Sequence, residues 1–152
     1  MKIQIENKQT KIRIDRRKIR GTVLKLLKIM DCANKELSIS FVDDKTIQQL
    51  NKNYLQKDKS TNVLSFSLQE GEYGNINPDI LGDIIISAQT AQRDAEIGDL
   101  TLSEEIDFLL IHGLLHLLGF NHENKNKAQT TKMQMKEKEL FLILNFDKSN
   151  ID

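Results

Sequence analysis

The sequence predicts a single α+β domain over residues 1–152, with one mixed, roughly four-stranded sheet packed with helices and a metal site on a central apolar helix and the following turn. Three observations point there. Strand-like alternation and helix-like periodicity interleave along the chain, which favours helices layered on a sheet. The 152 residues suffice for one core and are short for two. No repeat, low-complexity segment or linker divides them.

The elements follow in order. Lys2 to Glu6 alternates polar and apolar residues as a strand, and Lys11 to Ile14 reads as a second short strand or a loop. From Asp15 to Met30, residues Ile19, Val23, Leu24, Leu26, Leu27 and Met30 recur at helical spacing among Lys and Arg, giving a basic amphipathic helix. Leu37 to Val42 alternates as a strand, after which Asp43-Asp44 offers a cap for a helix carrying Ile47, Leu50 and Tyr54. Val63 to Leu68 is a further strand, and Gln69 to Pro78, with the only proline, is a loop. The unbroken Ile84-Ile85-Ile86 run predicts a strand covered on both faces, and Ser87 caps a helix from Ala88 to about Ile97. Thr101 and Glu104 form a capping-box pattern before the most apolar helix, which runs to about Leu118 and is closed by Gly119. A last helix spans roughly Lys127 to Leu144.

Composition narrows the class. Hydrophobic residues at 39% and charged residues at 29% are ordinary for a folded globular protein. Cys32 is the single cysteine, which excludes an intrachain disulfide and a cysteine-held metal and suits a reducing compartment. The first residues lack an apolar run of signal-peptide length, and the longest apolar stretch, Phe108 to Leu118, is interrupted by two histidines and a glycine. The expected location is the cytoplasm, without a membrane partner. The zero net charge hides a segregation: residues 1–60 hold 15 Lys and Arg against 7 Asp and Glu, whereas residues 61–124 hold one basic residue against 11 acidic ones. The basic part either contacts phosphates or consists of solvated helix faces.

The chain's three histidines, His112, His116 and His122, fall within eleven residues. Two histidines four apart on a helix share one face and can reach a common ion. In so apolar a helix, unpartnered imidazoles would cost on the order of 1–3 kcal/mol each, a cost that a shared metal removes. Gly119 can turn the chain back so that His122 completes a three-nitrogen set for zinc, one ion per chain. The fourth position then stays open for water, whose lowered pKa generates hydroxide near neutral pH. Histidines at +4 and +10 with glycine at +7 match the spacing of metzincin proteases, H-E-x-x-H-x-x-G-x-x-H. Gly113, however, stands where those enzymes carry their catalytic glutamate. The ligands indicate a hydrolase that is not a protease; a small metalloprotease is the weakest reading.

The run His112 to His122 (HGLLHLLGFNH), with Leu81-Gly82-Asp83-Ile84 and the stretch Lys57 to Phe66, resembles the bacterial YbeY family. The resemblance implies a three-histidine zinc site in a single-strand-specific endoribonuclease that acts in ribosomal RNA maturation, at the 16S rRNA 3′ end, and in ribosome quality control in the cytoplasm. It also implies the small ribosomal subunit and its proteins as partners. Departures from the family pattern are Asn121 where aspartate usually precedes the third histidine, Leu55 in an arginine place, and Ser60 and Ser67 in proline places. Leucine offers none of the bidentate phosphate binding of a guanidinium. Lys57 and Lys59 are the candidates to bind substrate in its stead, unless they are solvated loop charges. The alternative is a ribosome-assembly binding factor whose metal is mainly structural.

Thr61, Asn62 and Ser65 either line a groove or serve turns. Asp83 either orients a histidine or enters a strand through a turn after Gly82. Met133 and Met135 belong to the last helix as core or surface residues.

Overall fold

A computed structural model describes residues 3–68, 79–120 and 127–149. The chain runs β1 (Ile3–Asn7), α1 (Arg16–Ile29), β2 (Glu36–Val42), α2 (Asp44–Leu55), β3 (Val63–Ser67), β4 (Ile80–Ser87), α3 (Ala88–Ile97), α4 (Leu102–Leu117) and α5 (Lys127–Ser149). The four strands form one sheet in the order β1-β2-β4-β3; β1, β2 and β4 are parallel and β3 is antiparallel to β4. The sheet is therefore mixed and four-stranded, as the pattern predicts. Lys11 to Ile14 forms no strand; the Gln9 side-chain oxygen accepts from the Lys11 and Ile12 amides and holds a loop there. The segment Gln69 to Pro78 lies outside the described residues.

Caps set the helix starts where the sequence places them. Asp15, Asp43 and Ser87 each accept an amide hydrogen bond at the start of α1, α2 and α3. Thr101 and Glu104 complete a reciprocal capping box on α4. The last helix extends five residues beyond Leu144.

Alternation along the strands divides the core. Leu37, Ile39 and Phe41 of β2 and Ile84 and Ile86 of β4 point to a large cluster with α1, α4 and α5. Val42, Leu64, Phe66 and Ile85 point to the other face, where Ile47 and Leu50 of α2 cover them. Ile84 to Ile86 is thus covered on both sides, which explains its unbroken apolar run. Central α4 packs on β3 and β4, between α3 and α5. Among the described residues, no strand pairs with the outer side of β3, so the C-terminal half of α4 runs beside an open sheet edge.

Candidate metal centre and its cleft

His112 and His116 lie one turn apart on the half-buried side of α4 that looks past β3. Their rings are 4.6 Å apart at 72°, and their Nε2 atoms approach to 3.1 Å. Two nitrogens bound to one tetrahedral zinc at about 2.0–2.1 Å stand roughly 3.3–3.4 Å apart. The pair therefore needs a shift of only tenths of an ångström to hold such an ion.

A carboxylate from α5 sets the tautomer. Glu137 is 7% exposed, and its Oε2 lies 2.9 Å from His112 Nδ1. With Nδ1 carrying the proton donated to Glu137, the lone pair of His112 stays on Nε2, the atom facing His116. This carboxylate–histidine pairing is the usual support of a metal-bound imidazole, so the donor set fits a divalent ion. Sequence reasoning missed Glu137, because 25 positions separate it from His112 and only the packing of α5 on α4 joins them.

Beyond His116 the helix closes as the glycine predicts. Gly119 has φ +97°, its amide donates to the His116 carbonyl, and the Phe120 amide donates back to Leu115. These are the two bonds of a Schellman turn, which reverses the chain. His122, the expected third ligand, and Asn121 lie outside the described residues.

Gly113 has a packing reason. A Cβ there would sit 3.0–3.1 Å from three side-chain atoms of Ile84, so the position that holds the acid in metzincins faces the sheet. Any side chain at this position has to displace Ile84. Asp83, read as a turn residue or a histidine's partner, is inside β4 and shares the α2-facing side with Ile85, away from α4. Neighbouring Gly82 has φ +145°, and a Cβ there would collide with the Phe66 carbonyl oxygen, so close strand contact, not a turn, requires glycine.

The two histidines open into a cleft of about 420 Å³. Lys57 and Lys59 line it, as do Thr61, Asn62 and Ser65, while Leu117 and Phe120 form an apolar wall. No carboxylate is among the described lining residues. The lysine loop leaves α2 through Gln56, which has φ 60°, and Asn51 fastens it: its carbonyl accepts from the Lys57 amide and its Nδ2 donates to the Lys59 carbonyl. Asn51 is 2% exposed, so this anchor is internal. Leu55 also lines the cleft, leaving an apolar spot beside the two lysines. Met133 is core and Met135 is exposed.

A profile of the family described as "Endoribonuclease YbeY" matches residues 4–145. The chain belongs to the YbeY family. A relative from Syntrophus aciditrophicus, named Endoribonuclease YbeY, is 57% identical over 145 residues, covering 95% of this chain and 91% of the relative. Another of that name, from Syntrophotalea carbinolica, is 47% identical, with 91% and 93% covered. The solution structure of a Thermotoga maritima protein superposes with a TM-score of 0.66 over 97% of this chain and 93% of that one; at 22% identity it supports the fold alone. Membership of the family agrees with a cleft that joins two converging imidazoles to two lysines. Among the described residues, no helix is long and apolar enough to cross a membrane.

Proposed function

We propose that residues 1–152 act as one catalytic domain, a zinc-dependent endoribonuclease cutting single-stranded RNA in the cytoplasm, with ribosomal RNA as substrate. Its task would be maturation of the 16S rRNA 3′ end and ribosome quality control, in contact with the small subunit and its proteins. Endoribonuclease activity, a hydrolysis of RNA phosphodiesters, is what the family name of its relatives states. The observation that carries the finer reading is the meeting of the His112 and His116 Nε2 pair with Lys57 and Lys59 in one cleft whose described lining has no carboxylate.

His112, His116 and His122 would hold the ion. Zinc, when bound, supplies a Lewis acid for a phosphoryl oxygen and lowers the pKa of water. Glu137 keeps His112 in the tautomer that leaves Nε2 available. Lys57 and Lys59 place positive charge along the path of the phosphodiester backbone, where electrostatic stabilisation of a developing dianion is strongest in a partly enclosed site. Leu117 and Phe120 limit solvent beside it. Gly113 leaves the site without the proton-shuttling acid of metzincins, which disfavours peptide hydrolysis.

The test is cleavage of single-stranded and duplex RNA by purified protein, with metal content measured in parallel. Wild-type protein is expected to hold one zinc and to cut the single strand; His116→Ala should lose both metal and cleavage. Equal cleavage by the two proteins would end the zinc reading. Leu55 in the cleft favours a second reading, RNA binding by an assembly factor with a mainly structural metal. Metal retention and RNA binding without cleavage would select it.

A further inference from the structure

The outer edge of β3 runs through the cleft, and its register shows which backbone groups face outward. Residues 63–67 pair with 86–82, and flanking bonds run from the Ser87 amide to Asn62 and from the Leu68 amide to Leu81. Hydrogen-bonded pairs alternate in an antiparallel ladder, so even-numbered residues of β3 spend their amides and carbonyls on β4. The amides and carbonyls of Val63 and Ser65 therefore point away from the sheet, and both residues line the cleft beside His112 and His116. Each presents one donor and one acceptor on the same side, the two sets about 6.6–6.8 Å apart.

We propose that this open edge of β3 binds the bases of the RNA strand, Val63 and Ser65 pairing through their main chain with exposed base edges while Lys57 and Lys59 take the phosphates. This rests on the endoribonuclease reading and adds a source for strand selectivity. A donor and an acceptor side by side complement the Watson–Crick edge of an unpaired base, and every base carries such groups, so recognition tolerates sequence. In a duplex those edges are already used. An extended peptide could also add to a sheet edge, but the two lysines and the lack of a carboxylate in the described lining favour a polyanion.

Two measurements test it on the intact, metal-loaded protein. Residue-resolved amide exchange is followed with a short single-stranded 2′-O-methyl oligoribonucleotide, its duplex, and an extended peptide. Val63 and Ser65 should gain protection with the single strand only, while Leu64 and Phe66, bonded to β4, should not change. Kinetics on single-stranded RNA then compare Ser65→Pro with Ser65→Ala. Proline removes the hydroxyl and the outward amide and fixes φ, a substitution that edge strands accept, whereas alanine removes the hydroxyl and keeps the amide. Ser65→Pro should show a KM roughly three- to tenfold above that of Ser65→Ala, as expected for one lost hydrogen bond, with the larger part of its effect in KM rather than kcat. Unchanged exchange at Val63 and Ser65, protection by the duplex or by the peptide alone, or equal effects of proline and alanine would overturn the assignment even though wild-type cleavage persists. Absence of RNA cleavage by the wild type would instead remove the functional reading beneath it. Amide exchange uses the native sequence, so poor folding of the proline variant leaves the test intact.

Discussion

At the residue scale, two buried carboxylates have opposite uses. Glu137 meets His112 and should act on the metal through it. Glu137→Ala is expected to weaken zinc binding about 10- to 100-fold, with Glu137→Gln in between, as measured by competition with a chromogenic chelator. Glu105, 8% exposed on α4, has no such use: burial pushes its carboxyl above the usual range, and the nearby Asp94 charge adds to this. A carboxyl with a raised folded pKa binds its proton more tightly when folded, so the folded state gains stability as pH falls through that pKa and loses it above. Glu105→Gln should therefore raise Tm at neutral pH, and the gain should fade toward about pH 4, near the ordinary carboxylate value. Thermal melts across pH would check this; a constant gain would contradict the burial account. The histidines were legible because spacing of four on a helix is a local rule. Neither carboxylate's role was, since each depends on which helix lies alongside.

At the element scale, α4 is set against β4 through a glycine. Ala at Gly113 gains about 1 kcal/mol of helix propensity but must push Ile84, a fully buried strand residue, and overpacking of that kind costs about 1–3 kcal/mol. The expected net result for Gly113→Ala is a loss of up to about 2 kcal/mol, a Tm lower by up to roughly 8 °C in calorimetry, and a raised Tm would contradict the packing account. Sequence patterning located the starts of α2, α3 and α4 through their caps and found all four strands, because caps and alternation are encoded within a few residues. It shortened β4 and left a turn after Gly82 open, since the close approach of Phe66 to Gly82 arises only from the pairing of β3 with β4. The lysine loop shows the same limit: Asn51 is buried and bonded to the Lys59 carbonyl only because the chain folds back over it.

At the scale of the whole molecule, interleaved strands and helices made the α+β class readable, but not which strand ends the sheet. That order, with β3 outermost among the described strands, places a sheet edge beside the histidines and turns a helix motif into a cleft. Charge follows a similar logic. The basic excess of residues 1–60 is diffuse in sequence, yet the fold brings Lys57 and Lys59 to the histidines. If these two lysines neutralise phosphates, removing either should reduce the slope of log affinity against log salt by about 0.7 for single-stranded RNA, measured by fluorescence anisotropy. An unchanged slope would place the lysines outside the RNA path.

The bond between Glu137 and His112 also imposes an order of events on the growing chain. All three histidines precede residue 123, but the carboxylate that fixes the first of them belongs to a helix made later. A nascent chain ending before α5 has its imidazoles and lacks their orienting partner. If the proposed ion binds there, its tight loading would be coupled to docking of the final helix, and only chains completed through that helix would carry it.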